Sequence, residues 1–210
     1  MVERDPREEE SMTAAILLPD PHLLERRDLT VEDVAGLPED LRYELIDGRL
    51  VLTPHAKPTH QMISKNVGFA IDQHCPEEFV LNIEQAILVA PRTELRPDVV
   101  VLSEDAPDTS PVPAGDILIV VEVISPSSQR FDREDKLKLY SDAGIPFYWI
   151  LDPLAERVTF TQFVLHEAGF YRQLRHTDDL VTIEEPWTIT LDLPAWTRKR
   201  DRLRSARRSG

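Results

Sequence analysis

A single cysteine, few glycines and no long apolar run rule out several classes of protein for this 210-residue chain. Cys75, standing alone, excludes an internal disulfide and any multi-cysteine metal site. The seven glycines form neither GxGxxG nor a Walker pattern, which argues against a nucleotide-cradling loop and a nucleotide cofactor. No stretch approaches the roughly 18 apolar residues of a membrane span, so no membrane partner is expected. The N-terminus, MVERDPREEE, lacks the apolar core of a signal peptide, and cytoplasmic residence is the expectation. Met12 is a second candidate start, which would leave the acidic stretch before it outside the protein.

The charge is plentiful and uneven. The formal net charge is −14, yet the segment from Arg198, RKRDRLRSARRSG, carries +6, leaving −20 on the rest. An acidic body opposes broad attraction to nucleic acid, and a basic end favours it mildly. The simpler reading of residues 198–210 is a solvated, frayed tail. Residues 1–28 are charged, proline-punctuated and aperiodic, as in a disordered segment. One domain is expected over 29–197.

Within it, TVEDVAGLPED from Thr30 predicts a short helix capped by Thr30 and Asp33. RYELIDGRLVLT predicts a hairpin turning at Asp47-Gly48. Residues 58–75 follow helical period, with His60, Ile63, Val67, Ala70, Ile71 and His74 on one face. EQAILVA (84–90), PDVVVL (97–102) and ILIVVEVI (117–124) read as strands around the loop 103–116. A helix over 130–143, closed by Gly144, and the strand IPFYWILD complete a βαβ pattern. Short strands after Pro153 predict an antiparallel meander.

Glu122 is the anomaly. A carboxylate inside an aliphatic strand costs several kcal/mol unless something compensates it. Asp98 opens the preceding strand. If the two strands are neighbours, both acids converge, and with the backbone carbonyl of Val123 and water they make an oxygen site for Mg²⁺ or Mn²⁺. Asp132, Lys136 and Tyr140, spaced i, i+4, i+8, share a helix face. Lys136 could reach the same edge to stabilise phosphoryl charge, and its loss is then expected to slow turnover and spare the fold. Taken alone, the Asp132–Lys136 pair reads as a surface ion pair. Lys138 points elsewhere, into solvent. Glu44 is a third candidate acid, and His60 on the inward helix face could contact phosphate. His74 beside Cys75, and Tyr148 with Trp149, read as packing; His166 and His176 carry no assignment.

Together, YELIDGRLV (43–51), PTH (58–60), LRPDVVVL (95–102), IVVEVISPSS (119–128) and DREDKLKLYSDAGIPFYWILDP (132–153) resemble the Uma-two family of restriction-endonuclease-like proteins, within the PD-(D/E)XK nuclease superfamily. The resemblance runs from about Thr30 to Leu193. It implies an α/β fold: an αβββαβ core with a central mixed sheet and a C-terminal meander. It also implies a divalent metal, a homodimer, and hydrolysis of phosphodiester bonds in DNA. By position, Asp98 and Glu122 match the metal-binding acids and Glu44 the upstream acid. Ile124 stands where the superfamily carries its lysine; the family resemblance puts that lysine on the helix instead, at Lys136. The resulting reading has Asp98, Glu122 and Glu44 holding the metal, Lys136 assisting the attacking water, and Tyr140, His60 and Asp132 in support. Phe147 stands where a polar residue is common. The rival readings are a catalytically inactive nuclease-fold dimer acting as an interaction module, and a phosphodiesterase for small or RNA substrates.

Overall fold

The computed structural model describes residues 20–38 and 40–206. In chain order the elements are α1 Val31–Val34, β1 Tyr43–Ile46, β2 Arg49–Leu52, α2 Pro58–Asp72, β3 Phe79–Ile83, β4 Ile87–Ala90, β5 Thr93–Leu95, β6 Val99–Ser103, β7 Val112–Pro113, β8 Ile117–Val123, α3 Lys136–Asp142, β9 Phe147–Asp152, β10 Thr159–Leu165, β11 Tyr171–Thr177, β12 Leu180–Ile183, β13 Ile189–Asp192 and α4 Leu193–Ala206. They fall into two compact units, Met1–His55 with Leu88–Arg96, and Ala56–Ile87 with Pro97–Gly210. Among the described residues no helix is long and apolar enough to cross a membrane.

In the first unit Thr30 and Asp33 form the expected capping box on α1. β1 and β2 pair as the expected hairpin. Asp47 (φ 46°) and Gly48 (φ 78°) both adopt the left-handed conformation that a tight two-residue turn requires. A Cβ at Gly48 would also lie 2.8 Å from the Arg27 carbonyl. β5 pairs antiparallel with β1. The expectation of disorder over residues 1–28 lies outside the described residues as far as position 19. Within 20–28 the chain forms a 3-10 turn, Pro21–Leu24, capped by Asp20, and Leu23 joins an apolar cluster with Leu29, Val34 and Leu45.

The second unit holds a six-stranded sheet in the order β11-β10-β9-β8-β6-β3. The β8–β9 pair is parallel and its neighbours are antiparallel, so the mixed sheet and αβββαβ order are present. The first core strand differs from expectation. β3, not the segment 84–90, pairs with β6. β3, FVLNI, is an edge strand that carries its own apolar residues, with Val80 and Ile83 exposed. β10 and β11 extend the central sheet as a meander, whereas β12 pairs with β13 in a separate two-stranded sheet.

The pleat divides the residues of β8. Ile119, Val121 and Val123 join Val99, Val101, Trp149 and Leu151 against Ile63, Val67 and Ile71 of α2. Val120, Glu122 and Ile124 alternate with them, towards the opposite face. α2 ends at Asp72, so His74 lies beyond it and is exposed, not on its buried face. The segment expected as a frayed tail from Arg198 is helical through Ala206. Arg200, 2% exposed, explains why: its guanidinium donates to the carbonyls of Pro153, Ala155 and Glu156.

Candidate active site

Val99 pairs with Val121, so one more step of the same antiparallel register brings Asp98 opposite Glu122. The two acids sit where β6 begins and β8 nears its end, as neighbouring strands were expected to place them. Asp98 lies just before β6 rather than inside it. Its Oδ2 accepts the Val123 N–H at 2.7 Å and lies 3.3 Å from His60 Nε2. α2 begins at Pro58, which suits a first helical position and puts His60 in the first turn.

Glu122 is 4% exposed, and its compensation is local. Its Oε1 accepts a hydrogen bond from Lys136 Nζ at 2.8 Å and another from the Tyr140 hydroxyl at 2.6 Å. Lys136, itself buried, also lies 3.4 Å from Asp132 Oδ1. The helix over 130–143 is not uniform: Phe131–Asp135 is a π-helical turn that leads into α3. A π turn widens the ladder by one residue. Asp132, Lys136 and Tyr140 still fall on one side of the segment, as their spacing of four requires. The hydroxyl of fully buried Tyr148 donates to the Asp132 carbonyl at 2.6 Å. The Tyr140 and Tyr148 rings meet edge to face, 5.1 Å between centroids. Burial, with Glu122 and Asp132 nearby, pushes the Tyr148 hydroxyl well above its ordinary value, so it remains a donor.

Burial depresses the His60 imidazole, but the hydrogen bond and charge of Asp98, the Val123 carbonyl and the charge of Asp132 outweigh it, and the ring is raised from 6.5. The Val123 carbonyl, the backbone group expected as a metal donor, is thus one of the groups that favour the protonated His60 ring. Lys138 is 75% exposed and pairs with Asp142 along the helix, as its different face requires. Glu44 belongs to the first unit, where it is 7% exposed and accepts the Arg96 N–H at 3.2 Å. The second unit therefore gathers Asp98, Glu122, Lys136, Tyr140, Asp132 and His60.

Among the described residues no three of His, Cys, Asp and Glu group as a metal cage. Asp98 and Glu122 are hard oxygen donors. Such a pair fits a cation of the Mg²⁺ type, which binds through one or two carboxylates and keeps several waters.

Two supporting contacts are not legible in the sequence. Tyr148 read as core, and its hydroxyl meets a backbone carbonyl sixteen residues away, a contact that leaves no mark in the sequence. Asp152, at the end of β9, accepts from Arg133 Nη2 at 2.6 Å and so ties the π turn to the sheet; the acid closing a buried strand was its one signal.

Tyr140→Phe keeps the ring and removes one donor from a buried carboxylate. A charge-assisted bond of this kind contributes about 1.5–3 kcal/mol. The variant is expected to lose that much stability in urea denaturation, and a change below about 0.5 kcal/mol would mean the hydroxyl is not needed to hold Glu122.

Among curated proteins none matches this chain. A crystal structure titled as a "putative nuclease belonging to DUF820", from Anabaena variabilis ATCC 29413, is similar in fold. Its TM-score is 0.61 at 17% identity, covering 80% of this chain and 99% of that one. Residues 30–197 match the family described as "Uma2: Putative restriction endonuclease", which spans the fold and all the candidate residues above, and the chain belongs to that family.

Proposed function

We propose that the protein is a metal-dependent endonuclease that hydrolyses phosphodiester bonds in DNA, with Asp98 and Glu122 holding Mg²⁺ or Mn²⁺. The observation that carries the reading is Glu122. It is a carboxylate built into the middle of a nuclease-type sheet, opposite Asp98, with an ammonium group and a phenol directed at one of its oxygens. A fold needs no such group for packing, since an apolar side chain at that position would cost nothing in desolvation.

A bound divalent cation supplies charge neutralisation at the phosphoryl oxygens and a more acidic water. The chain's own groups do the rest. The Val123 N–H and His60 aim Asp98. Tyr140 fixes the rotamer of Glu122. Asp132 holds Lys136 so that its ammonium stands beside Glu122, where it stabilises charge developing on the phosphate.

The test is cleavage of a labelled duplex, with DNA and RNA of one sequence compared in Mg²⁺, in Mn²⁺ and in EDTA. Cleavage of the DNA with either cation and none in EDTA is expected. Cleavage that persists in EDTA, or that is confined to RNA, would overturn the proposal. A second reading, a catalytically inactive homodimer that serves as an interaction module, is favoured by the bonding of Lys136 to two carboxylates, which can be purely structural. Such a protein leaves both substrates intact under every condition.

A further inference from the structure

The basic helix α4 has no part in the site just described, and three of its cations have no evident structural task. Arg198, Lys199 and Arg202 are exposed, and among the described residues none forms a hydrogen bond or ion pair with their side chains. Arg200 and Arg204 differ: both donate to the Pro153 carbonyl, and Arg200 also holds the carbonyls of Ala155 and Glu156. The helix dipole does not explain the exposed three either. It rewards cations in the last turn, where Arg204 sits, and Arg198 and Lys199 lie in mid-helix.

The place where α4 docks gives these cations a use. The loop it grips leaves the C-terminal end of β9. β8 and β9 run parallel with Glu122 beside Ile150, so that loop lies at the same edge of the sheet as Glu122. Asp152, two residues beyond Ile150, is about 7 Å further along the strand. It bonds Arg133 of the π turn and the Leu154 N–H of the loop. A continuous bonded path thus runs from Asp132 and Arg133 through Asp152 and the loop to Arg200 and α4.

We propose that the exposed face of α4 is a backbone-contact surface for duplex nucleic acid, whose phosphates Arg198, Lys199 and Arg202 engage while the duplex lies across the catalytic edge. Arg198 and Arg202 share a helix face, with Lys199 beside them. The three span about 6 Å of helix axis. Phosphates on one strand recur every 3.4 Å or so of duplex axis, so the set matches two or three in succession. The acidity of the whole chain does not cancel this attraction, because charges beyond about 8 Å are screened at physiological salt. The inference rests on the nuclease reading for its purpose, and its test is independent of that reading.

The full-length protein and the variant Arg198→Ala/Lys199→Ala/Arg202→Ala are titrated into labelled duplexes of two unrelated sequences, in EDTA, across a range of salt. The same pair is assayed with Mn²⁺ on bis(p-nitrophenyl) phosphate, a diester too small to reach α4. Affinity is expected to fall equally for both sequences. The slope of log K against log salt is expected to flatten by about 0.9 for each lost contact, or roughly 2–3 altogether. The double variant Arg198→Lys/Arg202→Lys, which keeps all three charges, is expected to retain the wild-type slope. An unchanged slope, or no duplex binding by wild type, overturns the inference. So does a variant whose main change is in sedimentation, since the helix would then serve a second acidic copy of the chain. Wild type that binds duplex with the expected slope but leaves the small diester intact supports α4 and counts against the nuclease reading alone.

Discussion

Lys136→Ala is expected to reduce turnover by about 10²–10³ and to destabilise the protein as well. The first effect follows from losing one placed electrostatic stabiliser, typically worth about 3–4 kcal/mol in the transition state. The second follows from the structure. Lys136 is 4% exposed and bonds both Glu122 and Asp132. Removing it leaves two buried acids without their shared cation, which costs about 3–5 kcal/mol. Read from sequence, the lysine looks dispensable for folding; the geometry corrects that. The two effects separate by measurement. Stability is read by urea denaturation with and without Mn²⁺, and turnover is read at saturating metal in protein shown to be folded. A cation at Glu122 replaces part of the lost charge, so Mn²⁺ is expected to restore more stability to the variant than to wild type, and not its turnover. Lys138→Ala, which breaks an exposed pair with Asp142, is expected to change stability by less than about 0.5 kcal/mol and to leave turnover intact. Equal turnover for wild type and folded Lys136→Ala would reduce the lysine to a structural counter-ion.

The second large effect concerns the acids. In calorimetry wild type is expected to bind Mn²⁺, and Asp98→Ala/Glu122→Ala is expected to show no binding at that site. Relief of repulsion between like charges would by itself leave the metal-free double variant no less stable than wild type. The structure argues the reverse. Each acid is already compensated, Asp98 by the Val123 N–H and His60, and Glu122 by Lys136 and Tyr140. Their removal strands donors in the interior, and a loss of several kcal/mol is expected. Equal Mn²⁺ affinity in the two proteins would mean that Asp98 and Glu122 do not hold the metal.

What the sequence carried was chiefly what is local or energetically conspicuous. Glu122 stood out because an ionised group in an aliphatic strand needs a partner, and its helix partners were legible from the i, i+4 spacing of Asp132, Lys136 and Tyr140. The Asp47-Gly48 turn and the Thr30–Asp33 cap are short-range and were equally plain. The edge strand β3 was passed over although FVLNI carries a strand signal of its own; the neighbouring run 84–90 is equally apolar, and which of the two pairs with β6 is a long-range matter that local pattern does not decide. The π turn was not legible, since one additional residue in a helix ladder leaves no mark in composition. Arg200 was hidden for a related reason. It continues a buried stripe begun by Leu193 and Trp196, but as a cation satisfied by loop carbonyls 44–47 residues earlier in the chain, and an arginine-rich segment reads as solvated. For Glu44, a role at the site rests on the family resemblance alone.

Whether Asp98 and Glu122 form a metal-dependent phosphodiesterase centre is decided by the nicking of supercoiled plasmid by wild type and Asp98→Ala, purified in parallel and assayed with Mg²⁺, with Mn²⁺ and with neither. Nicked and linear products are expected from wild type only when a cation is present, and none above background from Asp98→Ala. Equal nicking by the two proteins, or intact plasmid with folded, metal-loaded wild type, would contradict that reading.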